Sequence, residues 1–174
     1  MDTLDAIAKR KSTRNYTDEM ISEDVLQKIL KAGMSAPVGL AKYDSLHITV
    51  VQNDEYITRI FDEAKDLIFA TLGFNKSFNY GAGTLVIVSS QTAYREGMEY
   101  AHGGIVIENM VIAATALGVD SCIMGAPIAA LAENTELANA VGIPEGFKPV
   151  LGVVLGYAPT DESAKEHTIT VNRV

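Results

Sequence analysis

The sequence predicts an α/β or α+β fold, and three observations carry that prediction. Apolar runs of strand length at residues 46–51, 84–89 and 150–155 are separated by segments with helical periodicity. A length of 174 residues suits one domain with a sizeable core. No repeat, low-complexity stretch or linker divides the chain, so residues 1–174 are expected to form a single unit.

In chain order, Leu4, Ile7 and Ala8 lie on one side of a short first helix, whose periodicity stops at the basic run Lys9-Arg10-Lys11-Ser12-Thr13-Arg14. The second helix, 22–34, has Ser22 as N-cap, Ile21 and Leu26 placed as a hydrophobic staple, and Gly33 near its close. Val25, Leu26, Ile29 and Leu30 form its apolar stripe. A loop over 35–45 leads to the strand 46–51, and Asn53 caps a helix through Tyr56, Ile57, Ile60, Phe61, Ala64 and Ile68. Residues 72–83 are rich in Gly, Asn and aromatics, and Phe74, Phe78 and Tyr80 are candidates for contact with a flat ligand.

After the strand 84–89 comes the longest helix, 96–117, apolar on nearly all sides through Ile105, Val106, Ile107, Met110, Val111 and Ile112. Such a helix is central, and it stops at Gly118. A short strand over 119–123 runs into Met124-Gly125-Ala126-Pro127, one or two short helices follow through Leu137, and the strand 150–155 closes the core. The tail alternates His167, Thr168, Ile169, Thr170, Val171, a pattern able to pair with the sheet edge of another subunit.

Composition excludes several classes. Hydrophobic residues at 48% and charged residues at 21% describe an ordinary globular protein. A formal charge of −8 disfavours nucleic acid and anionic membrane surfaces as partners. The apolar runs end well short of the roughly 20 residues that span a bilayer. The N-terminus lacks the features of a signal peptide, and the single cysteine, Cys122, can form no intrachain disulfide; a cytoplasmic setting is expected.

Against this acidic background, four of the 14 Lys and Arg residues fall between Lys9 and Arg14. Guanidinium groups with neighbouring hydroxyls and backbone N–H groups suit a terminal phosphate. A solvated helix end whose cations complement the macrodipole explains the same residues, and on the cluster alone that reading leads. No P-loop, Rossmann glycine fingerprint, zinc-ligand spacing or Gly-x-Ser-x-Gly elbow is present. Gly81-x-Gly83 and Gly103-Gly104 lie before a strand and inside a helix, where close packing explains them. Cys122 reads as a buried inert thiol, and His47 and His102 as satisfied structural histidines; His167, beside Lys165 in the tail, stands apart.

Four segments, in this order, resemble the nitroreductase family over almost the whole chain. Arg10-Lys11-Ser12-Thr13-Arg14-Asn15-Tyr16 is similar to the family's opening Arg-x-Ser-x-Arg-x-aromatic motif, and Ala32-Gly33-Met34-Ser35-Ala36-Pro37 to its helix end and Ala-Pro turn. Residues 103–119, with Asn109, Ala113-Ala114 and Leu117-Gly118, resemble the central helix, and Gly142-Ile143-Pro144 with Leu155-Gly156-Tyr157 the closing segments.

The resemblance implies an α+β fold with a central mixed β-sheet surrounded by helices, and an intertwined homodimer holding FMN at the interface. It implies electron transfer from NADH or NADPH to small electron-poor acceptors, nitroaromatics or quinones, by a ping-pong route. Arg10, Lys11, Ser12 and Arg14 would hold the phosphate and the flavin's pyrimidine side; Ser35, Ala36, Pro37 and Gly39 would lie by the ring; Met124 and Gly125 would line the N5 side; Lys165 and His167 would return to the phosphate. No side-chain acid or base is then required, and no metal. Where many relatives have Ser-Gly-x-Asn-x-Gln-Pro-Trp, this chain has Val38-Gly39-Leu40-Ala41-Lys42-Tyr43-Asp44, and Lys165-x-His167 stands where Lys-x-Arg is common. That departure keeps a second reading in view, a flavin-binding storage or sensing module with weak turnover. A third, a protein without flavin, predicts a colourless preparation.

Overall fold

The computed structural model describes residues 1–73, 78, 80–93, 95–160 and 163–174. Four strands form one sheet in the order β1-β2-β4-β3: β1 (Leu46–Val51), β2 (Thr84–Ser90), β3 (Asp120–Met124) and β4 (Lys148–Gly156). All three ladders are antiparallel. The parallel component of the expected mixed sheet is an isolated bridge between Ser12 and Ser121. β2 and β4 are central and apolar on both faces, because helices cover both.

One helical layer holds α1 (Thr3–Lys9), α2 (Glu23–Met34) and α4 (Met98–Ala116); the other holds α3 (Asp54–Leu72), α5 (Ala126–Glu133) and α6 (Thr135–Ala140). Strand alternation divides the core accordingly. Val86, Val88, Val153 and Leu155 face α4 and α2, while Leu85, Ile87 and Val154 face the layer of Ile60, Phe61 and Leu131. No helix among the described residues is long and apolar enough to cross a membrane.

The local signals operate much as the sequence suggests. Asn53 Oδ1 accepts the N–H of Tyr56 at 3.0 Å and starts α3, and Ile21 and Leu26 are both buried at the start of α2. Ser22 occupies the N-cap of α2 without a side-chain cap bond. The long helix begins at Met98, two residues later than the pattern implies, after Gly97 in the left-handed region. α1 forms as a short helix, with Leu4, Ile7 and Ala8 exposed and Ala6 the buried residue. Phe78 and Tyr80 pack partly buried against the α3-side core, and the Tyr80 carbonyl accepts from Tyr16 N–H at 3.1 Å; Phe74 lies outside the described residues.

α4 lies close on the sheet because Gly103 lacks a side chain: a Cβ there would meet Val150 Cγ2 at 2.8 Å, whereas at Gly104 it would meet nothing within 4 Å. Gly103→Ala is expected to lower stability by about 1–3 kcal/mol through overpacking. Gly104→Ala should leave stability unchanged or raise it by up to about 1 kcal/mol, since alanine is the better helix former. Thermal unfolding of the two variants side by side checks the contrast, and equal midpoints would contradict it.

Candidate functional site

Beyond α1 the chain runs extended along the outer edge of β3. Ser12 bridges Ser121, Thr13 N–H donates to the Ser121 carbonyl at 2.9 Å, and Thr17 N–H donates to the Tyr157 carbonyl at 2.8 Å. Extended backbone sends successive side chains to opposite sides, so the basic cluster is sorted by alternation. Lys11 and Thr13 turn inward; Ser12 and Arg14 are exposed, and Arg10 is half-buried at the end of α1.

The inward side is a compensated network around Asp120, the first residue of β3. Lys11 Nζ lies 3.0 Å from Asp120 Oδ1, Thr13 Oγ1 donates to the same oxygen at 3.0 Å, and Ala158 N–H donates to Oδ2 at 3.0 Å. Burial alone would raise this carboxyl's pKa, but the Ala158 N–H, Lys11 and Thr13 together hold it below the usual carboxylate range. Lys11, read from sequence as part of the phosphate group, is thereby engaged with a carboxylate. Asp120 was not among the sequence candidates; its signal was a charge opening an otherwise apolar strand, a place where an ionised group needs partners.

The outward side keeps its charge. Among the described residues no ion pair joins Arg10 or Arg14 to a carboxylate, and Arg14 Nη1 donates to the Ser12 carbonyl at 3.3 Å. Cys122 lies beneath them: burial pushes its thiol up, and Arg14, the Ser12 hydroxyl and Arg10 offset part of that. A cleft of about 530 Å³ opens beside this edge, bordered by Lys9, Lys11, Asp120, Ser121, Ser163 and Ala164. That volume is in the range of small-molecule sites. Lys165 and His167, just beyond Ala164, are exposed. Met124 is buried at the end of β3, and Gly125, exposed, precedes α5.

Ser35, Ala36, Pro37 and Gly39 sit elsewhere. Ala36 is fully buried, Ser35 and Pro37 are exposed, and Gly39 is half-buried. α4 pins this segment at both ends: Asn109 Nδ2 donates to the Ala32 carbonyl at 3.1 Å, and His102 Nε2 accepts the Gly39 N–H at 3.1 Å. Just after Gly39, Leu40 and Ala41 adopt φ of 58° and 53°, the left-handed region, at about 1–2 kcal/mol each. An apolar cavity of about 390 Å³ adjoins the segment, lined by Met34, Val38, Tyr43, Leu46, Ile48 and Val106.

The predicted site residues therefore fall into two groups on opposite edges of the sheet, one beside β3 and one beside β1. Three interstrand spacings of about 4.8 Å separate those edges by roughly 14 Å.

The model of the nitroreductase family matches residues 7–157, which includes the segments 10–14, 35–39 and 124–125 but not Lys165 and His167. The chain belongs to the nitroreductase family. In fold it is similar to a nitroreductase with bound FMN from Desulfitobacterium hafniense, with a TM-score of 0.86, 28% identity, and coverage of 99% of this chain and 100% of that one. In sequence it is 28% identical over 164 residues to an Archaeoglobus fulgidus protein whose name places it with NADH dehydrogenase/NAD(P)H nitroreductases, covering 92% of this chain and 87% of that protein. It is 27% identical over 186 residues to the FMN reductase (NAD(P)H) of Bacillus subtilis, covering 95% of this chain and 69% of that one. The α+β nitroreductase fold expected from the four segments is thus the fold observed.

Proposed function

We propose that this nitroreductase-family protein is an FMN-dependent oxidoreductase that takes electrons from NADH or NADPH and passes them to small electron-poor acceptors, nitroaromatics or quinones, by a ping-pong route. The observation that carries the reading is the outward side of residues 10–14, where among the described residues no carboxylate pairs with Arg10 or Arg14, in a chain of net charge −8. Two guanidinium groups and a hydroxyl on one side of an extended segment fit a phosphate, so the donor set suits FMN. When bound, the flavin supplies two-electron redox chemistry. Arg10, Ser12 and Arg14 bind the phosphate and place positive charge by the pyrimidine side. Ser35, Ala36, Pro37 and Gly39 pack beside the ring; Met124 and Gly125 border its N5 side; Lys165 and His167 close on the phosphate, with Lys11 acting through Asp120 to hold the segment.

A homodimer with FMN at its interface belongs to the same reading. The two site groups lie beside opposite edges of one sheet, and a second copy that supplies the other group brings both to one ligand. The exposed apolar residues Leu4 and Ile7 of α1 and Tyr100 and Ile105 of α4 give such a copy a surface to cover, and the exposed tail 168–171 is available to its sheet edge. Residues 1–174 act as one domain, supported by two core clusters on the two faces of one sheet. A cytoplasmic setting is in keeping with a lone buried cysteine. The partners are the small acceptor and the second copy, with no nucleic acid and no membrane.

The test is the visible spectrum of the purified protein, followed by anaerobic addition of NADH and NADPH in turn. A flavin band that one nicotinamide bleaches rapidly is the expected result. A colourless protein that takes up no added FMN would sink the reading, and a yellow protein reduced only slowly by both would favour the storage or sensing module.

A further inference from the structure

Segment 33–39 is fixed to α4 from one side of that helix, since His102 and Asn109 are seven residues apart, about two turns and 10.5 Å along the axis. Asn109 holds the carbonyl before the turn; the bond at the far end is of another kind. His102 is buried at 4% exposure, and its Nε2 takes the N–H of Gly39 immediately before two non-glycine residues in the left-handed region. Such conformations persist only where their surroundings over-determine them. Ala41 N–H to the Val38 carbonyl at 3.0 Å and Lys42 N–H to the Gly39 carbonyl at 3.3 Å close the turn on itself, so neither bond fixes it to the rest of the protein. The Gly39 bond does. Its anchor is rigid, because the next residue, Gly103, is in close contact with β4.

We propose that His102 is a positioning residue: through Gly39 it sets the conformation and placement of the turn 39–42, and with it the exposed Leu40 side chain beside the ring-side segment. The inference rests on the proposed flavin site for its functional part. Accepting the Gly39 N–H requires a neutral imidazole with its proton on Nδ1, so the role is that of an acceptor of fixed reach and not of a charge. An apolar ring of similar volume fills the space without the bond; a glutamine restores an acceptor oxygen.

The experiment compares wild type, His102→Phe and His102→Gln. Amide hydrogen exchange over residues 38–42, measured without added flavin, is expected to rise roughly tenfold in His102→Phe and to return most of the way in His102→Gln. With FMN as the added probe, His102→Phe should bind FMN roughly tenfold more weakly or shift its visible band, and raise KM for a quinone acceptor more than it lowers kcat. Unchanged exchange over 38–42 in His102→Phe, or no recovery in His102→Gln, overturns the proposal. Raised exchange with an unaltered flavin spectrum, FMN affinity and KM overturns its functional part. Absence of FMN uptake by wild type defeats the flavin site instead, and the exchange comparison still decides whether His102 holds the turn.

Discussion

Replacing Arg10 and Arg14 together by alanine is expected to strip FMN from the protein while leaving its fold intact. Both side chains are on the outward side of the extended segment, and neither is ion-paired to a carboxylate among the described residues, so their loss breaks no charged contact of that kind. Each removes a charge-assisted bond of about 1.5–3 kcal/mol to the phosphate. The pair is worth about 3–6 kcal/mol, a loss of FMN affinity on the order of 10²–10⁴-fold. Flavin fluorescence titration measures the affinity, and far-ultraviolet circular dichroism with the thermal midpoint checks the fold. Full retention of flavin would place the phosphate elsewhere. Lys11→Ala separates the two sides of the strand: because Lys11 is spent on Asp120, its principal cost falls on stability and not on the phosphate contact.

That contrast shows what a linear sequence conceals. Lys9 to Arg14 read as one basic cluster because the residues are contiguous, and at a helix end contiguity gives no reason to divide them. The division comes from leaving the helix: at Arg10 the backbone turns extended, with φ −56° and ψ 130°, and period 2 replaces period 3.6. The Arg-x-Ser-x-Arg spacing already contained this alternation. Asp120 was invisible for a different reason, since its partners Lys11, Thr13 and Ala158 converge only when β3 pairs with β4 and the first segment docks on the edge. His102 read correctly as a satisfied histidine, but the partner that satisfies it, 63 positions away, depends on where α4 lies on the sheet.

The fold was more legible than the site. α4, apolar on nearly all sides, could only be a helix with neighbours around it, and it packs between the sheet and α2. The strands at 84–90 and 148–156 are apolar because β2 and β4 are covered on both faces, whereas in the edge strand 46–51 Leu46, Ile48 and Val50 pack partly buried against the α2–α4 side. For α1 the periodicity gives only that Leu4, Ile7 and Ala8 share one side, and that side points away from the core of its own chain. Periodicity reports that a face is apolar; it carries no information on whether the same chain covers it.

The second large effect is expected at Asp120. Asp120→Ala removes the acceptor for the Ala158 N–H, the Thr13 hydroxyl and the Lys11 ammonium at once, and leaves a half-buried cation without this partner. A loss of about 3 kcal/mol is expected, seen as a lower urea midpoint with an unchanged slope and a thermal midpoint lowered by roughly 6–12 °C. The pH dependence has a definite sign. The folded-state pKa of Asp120 is depressed, so its stabilisation is fully present above the unfolded carboxyl value of about 3.9 and is lost as pH falls through the lower folded value. The gap between wild type and Asp120→Ala should therefore be constant near neutrality and shrink below about pH 4. A gap that instead widened on acidification, or vanished already at neutral pH, would show that the carboxylate is not what holds residues 11–13 against β3. Asp120→Asn refines the result: it keeps an oxygen for the Ala158 N–H but gives up the charge opposite Lys11, so its loss near neutrality should be intermediate, and because only wild type has a carboxyl there to titrate, that loss too should shrink below about pH 4.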